Sequence, residues 1–223
     1  DSIQAPFVYD ARTPTDINFV PLTPSDKLSF AANDLLTFYE TDATAKHLKP
    51  YVPIIKDSPV YPVVLDANET VLSLPPIING DHSKITLETK NVFIECTATD
   101  LTKANIVLDT GVTMFSQYCA KPFTAEPVTV QYADDSGAIV NSYVTPVLST
   151  HQESATVAFC NSLIGIQLPA ADMKVLCDKV QLGPATLLEN DTVLQVTVPP
   201  TRSDILHAVD IAEDVGVAYG FNN

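Results

Sequence analysis

The apolar residues of this chain change spacing repeatedly, between every second position and every third or fourth, so neither an all-helix nor an all-strand fold accommodates them. Phe7, Val8 and Tyr9, then Ile17, Phe19 and Val20, predict extended segments. A first helix opens at Thr23-Pro24-Ser25 and carries Leu28, Ala31, Ala32, Leu35 and Phe38 at helical spacing. Val60 to Leu65 and Val71 to Leu74 flank the turn Asp66 to Glu69 and predict a hairpin. Lys90 to Thr97 reads as a strand delivered into a helix capped by Thr99 or Asp100, with Leu101, Leu108, Val112 and Phe115 on one stripe.

A second hairpin is expected from Val128 to Tyr132 and Ala138 to Val144 around Asp134-Asp135-Ser136-Gly137. Further on, Pro169 opens a helix with Met173, Leu176, Cys177 and Val180, closed by Gly183. A strand alternating Leu194, Val196 and Val198 follows. Ser203 or Asp204 opens the last helix, with Ile205, Ala208, Val209, Ala212, Gly216 and Tyr219 as its inner stripe. Seventeen prolines against seven glycines make the connections stiff. The expectation is an α+β protein: a mixed-sheet domain over 1–148, then a small helix-rich, winged-helix-like module over 149–223 that ends short. Such modules are of a DNA-binding type elsewhere; no DNA partner is expected here.

Charge narrows the function. The net charge is −15 and the only arginines are Arg12 and Arg202, whereas a domain that grips a phosphate backbone by itself needs a Lys/Arg stripe. If RNA is the partner, the grip comes from other parts of a larger assembly. Four separated cysteines without a C-x-x-C pair argue against a disulfide or zinc framework and point to reduced thiols. No apolar run approaches eighteen residues, so no membrane partner is expected. The Asp1-Ser2 start, without Met or an apolar leader, reads as an internal piece of a longer cytoplasmic protein.

Three separated motifs carry a family resemblance: Pro75 to Ile85; Phe93 to Asp100; and Pro199 to Ile205 with His207, Asp210-Ile211, Glu213-Asp214 and Ala218-Tyr219-Gly220. In this order they resemble the β chain of phenylalanine–tRNA ligase in its archaeal and eukaryotic form. The resemblance implies an (αβ)₂ assembly with an α chain that holds the synthetic site. The whole enzyme would use ATP and Mg²⁺, with no ATP bound by this piece. It also implies that the first domain is an editing domain, which hydrolyses tyrosine wrongly attached to the acceptor end of the tRNA for phenylalanine.

The physical need for editing is plain, because an apolar pocket built for phenylalanine cannot strongly reject a ring that merely adds a hydroxyl. A second pocket can instead demand that hydroxyl by burying an acceptor that phenylalanine leaves unpaired. By resemblance, Glu95 with Thr97 lines that pocket; Ser73, Asn79 and Thr99 contact the substrate, Leu65 supplies the apolar wall, and His82 acts on water or holds the terminal adenosine. Read without the family, Gly80-Asp81-His82-Ser83 is a turn whose polar groups satisfy backbone donors. The family places a Mg²⁺ site shared with the α chain at Asp204, Asp210, Glu213 and Asp214; by themselves these are a solvated helix face. Two rivals remain: an architectural subunit-assembly module without chemistry, and a stand-alone binder of a free small molecule.

Overall fold

The computed structural model describes residues 3–220, which divide after Phe93 into two compact units. The first holds β1 (Val8–Arg12), β2 (Asn18–Phe19), β3 (Phe30–Ala31), α1 (Ala32–Thr41), β4 (Tyr61–Leu65), β5 (Val71–Leu74) and β6 (Ile78–Asn79). Four strands form an antiparallel sheet in the order β1-β4-β5-β6, beside the small β2-β3 ribbon. One apolar face of α1, Leu35, Leu36 and Tyr39, shares a core with Val63, Leu65, Val71 and Leu74. Each fully buried aliphatic side chain there contributes roughly 1.5–3 kcal/mol.

The hairpin expected at Asp66 forms because that carboxylate organises its own turn: Oδ1 accepts the N–H groups of Asn68 and Thr70, both at 2.9 Å. The first helix starts later than its Pro-Ser signal suggests. Phe30 and Ala31 pair with Phe19 and Asn18, which keeps them extended, so α1 begins only at Ala32. Residues 23–25 instead lie outside the helix, with the Thr23 carbonyl accepting the Tyr39 hydroxyl.

The expected strand Lys90 to Thr97 does not form; 84–100 is irregular. Its β-rich composition finds no partner strand among the described residues, and an unpaired strand leaves its backbone groups to water. Asp100 then caps a helix as expected, accepting the Lys103 N–H at 2.9 Å, and α2 runs Leu101–Ser116. The anticipated inner stripe is not buried: Leu101 and Phe115 are exposed, and the buried residues of α2 are Asp109 and Ser116.

The second unit continues with the hairpin β7 (Val128–Ala133) and β8 (Ile139–Thr145). Its turn is tied by Asp134 Oδ1, which accepts the N–H groups of Ser136 and Ala138 at 2.9 and 3.1 Å. After it come β9 (His151–Thr156), α3 (Val157–Ile164), α4 (Ala170–Lys179), β10 (Thr186–Leu188), β11 (Val193–Val198) and α5 (Ala208–Tyr219). The antiparallel sheet β10-β11-β9 and the three helices enclose a second core built on Cys160, Met173, Cys177, Leu194, Val196 and Ile211. The chain is thus α+β, with the last module made of helices on a small sheet.

Neither β9 nor α3 was visible beforehand. The last helix opens at Ala208, capped by His207, and not at Ser203 or Asp204; its buried face is Ile211, Ala212, Val215 and Gly216, while Val209 is exposed.

Candidate functional site

In the first unit the sheet register decides which candidate side chains share a face. Val64 lies opposite Ser73, and Ser73 opposite Asn79. A bulge after Val64 sets Leu65 opposite Val71. Leu65 therefore points into the hydrophobic core, whereas Ser73 stands on the other side of the sheet with Val64. Leu65, expected as the apolar wall, is a core residue, 2% exposed.

Ser73 is 6% exposed, and its hydroxyl, buried from solvent, has no hydrogen-bond partner among the described residues. A hydroxyl desolvated in that way costs about 1–3 kcal/mol, so its place on β5 asks for a reason. Asn79, its cross-strand neighbour, is exposed at the side chain while its carbonyl accepts the Leu22 N–H. The turn after β6 closes tightly over β5. Gly80 donates its N–H to the Leu72 carbonyl at 2.8 Å, and the Ser83 hydroxyl donates to the same oxygen at 3.2 Å. A Cβ at Gly80 would lie 2.8 Å from the Val71 carbonyl oxygen, which is why only glycine fits. Asp81 pairs with Lys84 at 2.6 Å, and that bond holds its carboxyl below the usual range. His82 is exposed on this turn. The turn at Gly80 to Ser83 differs from the expected one in this respect: Ser83 serves a backbone acceptor, the Leu72 carbonyl, and not a donor.

Glu95, Thr97 and Thr99 belong to the second unit and are exposed. The Thr97 hydroxyl donates to Glu95 Oε2 at 3.3 Å. Glu95 lies in an irregular segment and not on a strand. The structure brings Ser73 and Asn79 together, and Glu95 and Thr97 together.

The acidic residues near the end also differ from expectation. Asp210 does not lie on the outer face: its Oδ2 turns back to accept the N–H groups of Leu206 and His207 at 2.9 and 2.8 Å, capping α5. Those two bonds hold its carboxyl low. Asp204 is held by Arg202, whose Nη2 and Nε lie 2.7 and 3.0 Å from its oxygens, and the Arg202 bond keeps that carboxyl low as well. Asp214 Oδ2 is buried 2.6 Å from Arg202 Nη1, an ionic contact off the axis of a hydrogen bond. Glu213 is exposed. A Mg²⁺ ion needs converging oxygens at about 2.0–2.1 Å, and here the carboxylates converge on a guanidinium or on helix N–H groups. Among the described residues no three His, Cys, Asp or Glu side chains form a group that could hold a metal. The four acids as arranged do not fit Mg²⁺.

Sequence reasoning also missed a cleft of about 540 Å³ between the start of α3 and the turn before β11, lined by Thr156, Ala158, Asn161, Glu189, Asp191 and Thr192. Its only sequence signal was the polar run Glu189-Asn190-Asp191, all three with positive φ.

Comparison with known proteins finds two family regions, the first of which crosses the division after Phe93. Residues 26–120 match the B3/4 domain family, and residues 154–221 match the tRNA synthetase B5 domain family. The chain is 53% identical over 223 residues to a phenylalanine–tRNA ligase beta subunit of Caenorhabditis elegans, covering all of this chain and 36% of that protein. It is 50% identical to the cytoplasmic beta subunit of Arabidopsis thaliana, again over all of this chain and 36% of the relative, and 43% identical to the human beta subunit at the same coverage. The chain thus spans about a third of the length of these relatives. A crystal structure of an N-terminal fragment of the phenylalanyl-tRNA synthetase beta subunit from Pyrococcus horikoshii aligns with a TM-score of 0.80 at 30% identity, over 99% of this chain and 58% of that one.

Proposed function

The chain belongs to the phenylalanine–tRNA ligase beta-subunit family, and from that membership we propose that it is a piece of a cytoplasmic aminoacyl-tRNA synthetase that removes tyrosine from the tRNA for phenylalanine. The domain division proposed is an editing-type domain up to about residue 148 and a B5-type module after it, each holding one matched family region and one core. The attachment reaction, with ATP and Mg²⁺, belongs to the assembled enzyme with its α chain. The charge of −15 leaves the hold on tRNA to other parts of that assembly.

One observation carries the proofreading reading: the buried, unpaired hydroxyl of Ser73 on β5. A desolvated donor and acceptor of this kind is satisfied by a ligand that brings its own hydroxyl, as tyrosine does, and is left unsatisfied by phenylalanine. Asn79 across the strand supplies a second polar group for the amino acid or the terminal ribose, and His82 on the adjoining turn is accessible to water and to adenosine. Glu95 and Thr97 form a second, exposed polar pair in the other unit. No triad of nucleophile and base is assigned; water attack on the ester is the economical chemistry.

The exposed position of Glu95 favours one alternative, an architectural module without chemistry. Amide and side-chain chemical shifts of the chain, titrated with tyrosine and in parallel with phenylalanine, separate the two. Proofreading requires shifts at Ser73 and Asn79 with tyrosine alone. Equal responses, or none, leave the architectural module standing.

A further inference from the structure

Arg202 is one of only two arginines in the chain, and the fold sets it inside the acidic corner that the family resemblance would give to a metal ion. Two tight turns hold its backbone: its N–H donates to the Pro199 carbonyl at 3.0 Å, and its carbonyl accepts the Ile205 N–H at 3.4 Å. The side chain then spans two carboxylates. It meets Asp204 through Nε and Nη2, the forked geometry in which guanidinium matches carboxylate best, and Asp214 on α5 through Nη1. Arg202 is a quarter exposed and Asp214 less so, so this pair is screened less by salt than an ordinary surface pair. The nearby Asp210 is committed elsewhere, to the N–H groups at the start of α5.

We infer that Arg202 is the resident cation of this corner, a latch that ties the 199–206 turn to α5 through Asp204 and Asp214 and keeps those acids from taking a divalent ion. A single positive charge, half that of a divalent metal, is supplied covalently, and it stands on carboxylate oxygens of Asp204 and Asp214 that the metal would need. A divalent ion gains the site only when the guanidinium is drawn off, by substitution or by a partner that offers it other acids. The latch is independent of whether the first unit proofreads.

Mn²⁺ serves as the probe, read by the loss of free-ion electron paramagnetic resonance signal and by thermal unfolding of the 223-residue chain, with NaCl controls at matched ionic strength. The wild-type chain should show no Mn²⁺ affinity that depends on Asp214, meaning no change between wild type and Asp214→Asn, and no rise in Tm beyond the NaCl control. Arg202→Gln should unfold at lower temperature, bind Mn²⁺ at least tenfold more tightly than wild type, and recover part of its lost Tm when Mn²⁺ is added. The gain should vanish in Arg202→Gln combined with Asp214→Asn. Arg202→Lys, which keeps the charge, should stay close to wild type in Mn²⁺ binding. A lost fold alone would not produce the Mn²⁺ gain. Should Arg202→Gln fail to fold, the wild-type comparison with Asp214→Asn still decides. Wild-type Mn²⁺ binding that Asp214→Asn abolishes, or an Arg202→Gln chain that folds and gains no affinity, overturns the latch.

Discussion

Replacing Ser73 by Ala should make the first unit more stable, which is the reverse of what most buried substitutions do. The hydroxyl sits at 6% exposure without a partner, so its removal relieves a desolvation cost of about 1–3 kcal/mol. Against this, an oxygen-sized void of about 10–15 Å³ forfeits roughly 0.3 kcal/mol at about 24 cal/mol per Å³. The net gain is on the order of 1–2 kcal/mol, or a rise in Tm of roughly 4–15 °C for a unit of this size. Urea unfolding followed by tryptophan-free fluorescence from tyrosine, together with calorimetry, reads it directly, and an unchanged denaturant slope shows that the effect is on stability alone. If Ser73→Ala instead lowers stability by about 1 kcal/mol or more, the hydroxyl has a partner in the folded chain, and the case for a ligand at this spot loses its foundation.

Gly80→Ala should destabilise the same unit by about 1–3 kcal/mol, since its Cβ would press to 2.8 Å on the Val71 carbonyl oxygen; equilibrium unfolding measures it. Gly111→Ala should do the opposite, adding roughly 1 kcal/mol to the unit that contains α2, because nothing lies within 4 Å of the new Cβ and the helix loses a poor former. Burial pushes the Asp109 carboxyl up against the opposing pull of the Val147 N–H. The folded state therefore binds that proton more tightly than the unfolded one, and stability falls as pH rises from the ordinary carboxylate range, about 4, through the raised folded value. Asp109→Asn should then be stabilising at pH 7 and neutral at pH 3, as compared by urea midpoints at the two values. Thr156→Ala removes the side chain that accepts the Phe159 N–H at 3.1 Å and should cost about 0.5–2 kcal/mol, visible as lost α3 helicity and a lower midpoint.

What was legible in the chain was what local chemistry decides. Asp66 and Asp134 make their turns with their own oxygens, so both hairpins could be read from a few residues. Asp100 caps α2, and Pro169 opens α4, for the same reason. Pairing between distant segments could not be read. Phe30 and Ala31 leave a helical pattern because Phe19 and Asn18 claim them, and the polar run His151 to Thr156 becomes a strand because β11 lies beside it, Glu153 opposite Val196. Lys90 to Thr97 shows the converse: a strand composition without a partner remains irregular, and Glu95 is exposed with it.

The site followed the same division. The tightness of the turn at Gly80 was inherent in a Gly-Asp-His-Ser sequence, whereas the way Ser73 and Leu65 come to stand on opposite faces involves a one-residue bulge at Leu72, between the Val64–Ser73 and Leu65–Val71 pairs. The four acids near the end carry the family pattern, yet the pattern is silent on Arg202 turning in between Asp204 and Asp214.

The central claim meets its most direct test in deacylation of Tyr-charged tRNA for phenylalanine by the assembled two-chain enzyme, wild type against Ser73→Ala, with the phenylalanine-charged tRNA as reference. Selective hydrolysis of the tyrosyl ester by wild type, reduced at least tenfold in Ser73→Ala while phenylalanine attachment proceeds unchanged, is the predicted result. Undiminished tyrosyl hydrolysis in Ser73→Ala would contradict it.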